Sequence, residues 1–235
     1  MSSTIVQYIL ADGSPQSSVG LHSLPFIEHQ KPGSDKTNLE LNHTLPKPRI
    51  SKTHFGYPYL KNAVEKGQGK ILVVMRNPKD AIVSYYNHYQ NGHMAFTGSF
   101  SEFFELVKVK NINRGDVFDW YRAWWGARDH PNVMVVMFED MVKKPFESVK
   151  KISSFIGRNL SDEVIERIVE ATSFKTMSKE ATFDKVYKDS EKLSKAYYRK
   201  GEAGDWKNWF DGEQNKWLDT KCEELAKQGI EFSFE

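Results

Sequence analysis

Apolar residues along the chain gather into two short unbroken runs, KILVVMRN (70–77) and NVMVVMFED (132–140). Elsewhere they recur three or four positions apart. An unbroken run rich in β-branched residues suits a strand covered on both faces, so each run predicts a buried strand. The wider spacing predicts helices over 57–67, 78–90, 99–110, 116–130, about 141–156, 161–171 and 213–228, the last closed by Gly229. Asn77 is placed to cap the second of these, with Pro78 at its first position and Asp80 in its first turn. PRISKTH (48–54) is a further short strand candidate. Residues 12–48, rich in Gly, Pro, Ser, His and Asn, predict a long irregular passage.

Strands alternating with helices imply an α/β fold with a doubly wound parallel sheet, here expected as a single domain over 1–235. That class binds ligands beyond the carboxyl ends of its strands. His54, Arg76 and Asp140 fall at or just after such ends.

Composition narrows the function more than the fold. Thirty-three basic and 31 acidic residues give a net charge of +2, which argues against a broad nucleic-acid surface. Any anion site must be local. Cys222 is the only cysteine, so there is no internal disulfide and no thiolate zinc cage. No apolar stretch reaches the roughly 18 residues of a membrane span, and the opening MSSTIVQYIL has no cationic leader. The expectation is a cytoplasmic protein with no membrane partner.

Three stretches carry candidate chemistry. In KTH, Lys52 and His54 lie two apart on an extended segment and so share a face. An imidazole there could take a proton from a hydroxyl, and the alternative is a structural histidine. In MRNPKDAIVSYY, Arg76 ends a strand beside the electropositive start of a helix, an arrangement suited to phosphate. Pairing with Asp80, Glu139 or Asp140 is the other reading of that arginine. In RKGEAGDWK, Arg199 and Lys200 precede Gly201, which offers an unobstructed backbone N–H to an anion. Alone, that stretch also reads as a basic surface turn.

Together, KTH, RNPKDAIVSYY, WYRAWW, FED, TSFKTM and RKGEAGDWK resemble the cytosolic sulfotransferase family, in its order, over roughly residues 48–235. The resemblance implies a fold related to the P-loop nucleotide kinases. It also implies transfer of a sulfuryl group from 3′-phosphoadenosine 5′-phosphosulfate (PAPS) to a hydroxyl or amine of a small molecule, without a metal, leaving adenosine 3′,5′-bisphosphate (PAP). On that resemblance His54 matches the base and Lys52 its partner in placing the acceptor. Arg76, Ser84, Arg199, Lys200 and Gly201 match positions that hold the 3′-phosphate. Thr172, Phe174 and Tyr197 match the adenine site, as does Phe138 where many relatives have tyrosine. Phe26, in LPFIE, resembles a position on the acceptor pocket wall.

Besides Phe138, the match departs from the family in two places. No counterpart of its YPKSGTTW loop, which holds the phosphosulfate, occurs in the chain, whose first lysine is Lys31. The stretch from Thr4 aligns instead with the helix that follows that loop. This leaves open an alternative, a catalytically silent, truncated relative that binds PAP or an acceptor without transfer. The family's dimer motif after GDWK is degraded at Asp211, Gly212 and Lys216, so a monomer or a different dimer is expected.

Overall fold

The two apolar runs become β1 (Ile71–Met75) and β2 (Val133–Met137), paired in parallel with Ile71 opposite Val133 and Met75 opposite Met137. The computed structural model describes residues 2–14, 26–30, 33–45, 47–91, 96–113, 115–180 and 204–235. It divides the chain into two units, one of Met1–Phe55 with Pro145–Ser194 and one of Gly56–Lys144 with Lys195–Glu235. The fold is α/β with a parallel sheet.

The second unit holds the sheet. After α1 (Ser2–Leu10) and α2 (Asn38–Thr44) of the first unit, the chain enters it through α3 (Tyr57–Glu65), which precedes β1. Between the strands run α4 (Pro78–Asn91), α5 (Phe100–Lys108) and α6 (Val117–Gly126). Directly after β2 comes α7 (Phe138–Lys143). The unit's core is largely aromatic. Phe103, Phe104, Phe118, Tyr121 and Trp124 are buried, with Tyr86 and Tyr89 of α4 packed into the same cluster. Each such ring contributes roughly 1.5–3 kcal/mol by leaving water. Their spacing on α5 and α6 explains why three-to-four periodicity locates those helices well.

The first unit continues with α8 (Pro145–Phe155), α9 (Asp162–Ala171) and α10 (Phe174–Glu180). Here α1 packs on α8 and α9, and Ile5, Ile9, Val149, Ile152, Ile165 and Ile168 are buried. Gly13 turns the chain after α1 at φ +79°, where a Cβ would meet Val164 at 2.8 Å. Back in the second unit, a 3₁₀ turn (Asp205–Asn208) and α11 (Gly212–Ala226) complete the described chain.

Two expectations are corrected. Residues 48–54 do not form a strand. Lys52 makes a single parallel bridge to Phe26, with Ile27 N–H donating to the Lys52 carbonyl at 3.0 Å. PRISKTH has one aliphatic residue, Ile50, and so no apolar face with which to fix a longer register. The passage 12–48 is also less irregular than expected, because α2 lies within it. Thr37 and Glu40 cap that helix reciprocally, a T-x-x-E signature visible in TNLE.

Candidate functional site

The candidate residues fall into two described clusters, one in each unit. In the first unit, the segment 26–30 is tied on one side to Lys52 and on the other to residues 37–38. Asn38 donates its backbone N–H to the His29 carbonyl and its side-chain amide to that of Phe26. This brings Phe26, Glu28, Lys52 and His54 together. The Phe26 ring lies 4.5 Å from the His54 imidazole with only 10° between their planes. The Lys52 ammonium also approaches that phenyl ring, 4.5 Å from its centroid. Burial pushes the Lys52 amine below its ordinary value.

Glu28, absent from the sequence-based candidates, organises this cluster. Its Oε1 accepts from the His54 backbone N–H at 2.9 Å and lies 2.6 Å from His54 Nδ1. Burial raises the Glu28 pKa, but hydrogen bonds from its own backbone N–H and from His54 outweigh this and leave it below the ordinary carboxylate value. An ionised carboxylate accepts only, so it favours the tautomer with the proton on the facing Nδ1. The neutral imidazole then keeps its lone pair on Nε2. Residues 27–28 form a turn, with the His29 N–H donating to the Phe26 carbonyl at 3.0 Å, so strand alternation in the sequence could not have revealed Glu28.

The second cluster lies beyond the ends of β1 and β2. The Arg76 guanidinium sits over the Phe138 ring, 4.6 Å from its centroid. It also lies 3.7 Å from Asp80, one of the pairings its sequence context allowed. Asn77 caps α4 as expected, its Oδ1 accepting from the Asp80 N–H at 2.8 Å. Asp80 is buried, and its two oxygens accept from the backbone N–H of Gly204 (2.7 Å) and of Trp206 (3.1 Å). Gly204 holds φ +91°, which a side chain would strain. The GDW end of the RKGEAGDWK stretch is therefore fastened to the first turn of α4. From the first turn of α7, Glu139 accepts from the Asn77 backbone and side chain at 2.8 and 3.1 Å. Burial raises the Glu139 pKa, with the Asn77 hydrogen bonds opposing it. The Tyr121 hydroxyl donates to the Arg76 carbonyl at 2.7 Å and is also raised, chiefly by burial.

Three of the remaining candidates are described. Ser84 is exposed on α4. Thr172 is buried at the end of α9, its hydroxyl donating to the Ile168 carbonyl at 2.7 Å, and Phe174 begins α10. Tyr197, Arg199, Lys200 and Gly201 lie outside the described residues. Chemically, the first cluster presents an imidazole and an amine beside one phenyl ring. The second presents a guanidinium beside the start of a fourteen-residue helix, a combination that fits a phosphate.

A family model described as a sulfotransferase domain matches residues 3–229. Sulfotransferase 1C2 of Rattus norvegicus is 34% identical over 221 residues, 91% of this chain and 72% of that protein. Sulfotransferase 1B1 of Mus musculus is 30% identical over 225 residues, 93% and 75% of the two chains. Among solved structures, mouse sulfotransferase SULT7A1 complexed with PAP aligns with a TM-score of 0.75 at 27% identity, covering 94% of this chain and 78% of that one. Retinol dehydratase shares the fold at a TM-score of 0.70 and 24% identity, over 80% and 57% of the two chains.

Proposed function

The chain belongs to the sulfotransferase family, and from that premise we propose that it moves a sulfuryl group from PAPS to a hydroxyl or amine of a small, apolar or phenolic acceptor. The observation that carries this reading is the His54 imidazole, held at Nδ1 by the Glu28 carboxylate 2.6 Å away. When bound, PAPS supplies the sulfuryl group: a bond forms from the acceptor oxygen or nitrogen to sulfur as the sulfur–oxygen bond to phosphate breaks, and PAP departs.

His54 takes the acceptor's proton, and Lys52 places the acceptor and balances negative charge near it. Phe26 lines the acceptor's approach. Arg76 and Ser84 hold the 3′-phosphate with Arg199, Lys200 and Gly201, while Phe138, Thr172, Phe174 and Tyr197 serve the adenine. No helix among the described residues is long and apolar enough to cross a membrane. On the same reading the protein works in the cytoplasm, as a single domain, and either as a monomer or as a dimer built differently from its relatives.

The test is transfer of labelled sulfate from PAPS across a panel of phenols, alcohols and amines, paired with calorimetric titration of PAP. His54→Ala is expected to lower turnover about 10²–10⁴-fold while leaving PAP affinity unchanged. Equal turnover in variant and parent would remove His54 from the reaction. PAP binding by a parent that transfers to no acceptor would favour the silent, nucleotide-binding alternative.

A further inference from the structure

We infer that Glu28 is a positioning residue that fixes the tautomer and ring orientation of His54, with Phe26 as the flat surface against which that orientation is held. The inference rests on the proposed role of His54 and extends it to two residues that need not touch the transferring group.

Three observations converge on one ring. Glu28 Oε1 reaches both Nδ1 and the backbone N–H of His54, so the carboxylate fixes the imidazole relative to its own main chain. The Phe26 stack removes the remaining freedom, rotation of the ring about its side-chain axis. The other Glu28 oxygen, Oε2, is buried with no hydrogen-bond partner among the described residues. Both hydrogen bonds from His54 therefore converge on Oε1.

The chemical consequence is specific. An isolated imidazole divides its proton between two nitrogens, and only one tautomer has a lone pair where an acceptor could use it. A carboxylate at Nδ1 keeps that nitrogen protonated, so Nε2 is the basic atom. As the acceptor's O–H bond breaks, its proton passes to Nε2 and Nδ1 keeps its own. The imidazolium that results is stabilised by the Glu28 charge, which is the reciprocal of the imidazole's lowering of Glu28. Lys52 shares the Phe26 ring, so one phenyl group sets the spacing of base and cation.

The experiment has two readouts, the first independent of turnover. Nitrogen-15 NMR of the imidazole should show neutral His54 protonated at Nδ1 and bare at Nε2 in the parent. In Glu28→Gln, whose amide can donate as well as accept, a mixture of tautomers is expected. Protonation at Nε2 in the parent, or an unchanged tautomer in the variant, would overturn the inference.

The second readout is a double-mutant cycle on sulfate transfer. Glu28→Gln should lower kcat about 10²–10⁴-fold with PAP affinity preserved, and Glu28→Asp should recover part of the loss. In a His54→Ala background the same substitution should cost under about twofold more, because residues acting as a unit are not additive. Full additivity would mean that Glu28 acts elsewhere and would overturn the inference. A parent that transfers nothing would remove the proposed function, while the NMR outcome would still decide what Glu28 does to His54.

Discussion

The two polar clusters are held in opposite ways. Around Asp80 the framework is regular: its buried carboxylate accepts from the backbone N–H groups of Gly204 and Trp206 at the 3₁₀ turn, its own N–H is capped by Asn77, and the Asn77 N–H at the strand end goes to Glu139. Around His54 the backbone is irregular, joined to its neighbour by one bridge, and the side chains hold one another. The first arrangement makes geometry depend on folding. The second allows geometry to be lost while the fold survives. Substitutions in the two clusters should therefore fail differently.

The largest stability effect is expected at Asp80. Removing its carboxylate in Asp80→Ala strands two backbone N–H donors, of Gly204 and Trp206, together with the Asn77 amide. Each unpaired buried group costs about 1–3 kcal/mol, so a loss of about 3–5 kcal/mol follows. Chemical denaturation would measure it. PAP affinity should fall with it, because Arg76 loses the carboxylate beside it. A variant as stable as the parent would show that regular elements, not Asp80, hold the turn.

By comparison, Phe26→Leu keeps an apolar side chain but removes the stack on His54 and the ring beneath Lys52. Stability should fall by only about 1 kcal/mol, while turnover falls more steeply than PAP affinity. A loss of stability equal to that of Asp80→Ala would abolish the contrast. A smaller, purely local effect is expected from Thr37→Ala, which opens the reciprocal cap of α2 at a cost of about 1 kcal/mol. It would be read as faster amide exchange along that helix.

The same contrast explains what could be read from the sequence. Periodicity located β1, β2 and α3 to α6 because their apolar positions face one aromatic core and repeat at the spacing of the element. The Asn77 cap was equally legible, since N-P-K-D specifies a helix start locally. Segment 26–55 carries no such period. Its geometry comes from contacts between residues distant in sequence, as with Glu28 and His54, 26 positions apart. Short motifs there name candidate residues, not what orients them. KTH pointed to His54 and Lys52, whereas Glu28 emerged only from the fold. The Asp80–Gly204 contact, spanning 124 positions, was likewise invisible, although both residues lie in quoted motifs.

A final, smaller effect separates the clusters by pH. Glu28 is held below its ordinary carboxylate value of 4.5, whereas Glu139 is raised above it, mainly by burial. A lowered carboxylate stabilises the fold above pH 4.5, and that contribution is lost as pH falls through its folded-state value. A raised one does the reverse: its contribution is present below 4.5 and is lost as pH rises through its own folded-state value. Two amides report these events directly, since the His54 N–H donates to Glu28 and the Asn77 N–H to Glu139. Hydrogen-exchange protection at His54, corrected for intrinsic rate, should weaken toward acid and lose that dependence in Glu28→Gln. Protection at Asn77 should weaken as pH rises from 4.5 and lose that dependence in Glu139→Gln. Parallel pH profiles at the two amides would mean that one global transition governs both. Opposed profiles would establish that the side-chain cluster and the backbone-built cluster respond to protons independently, each through its own carboxylate.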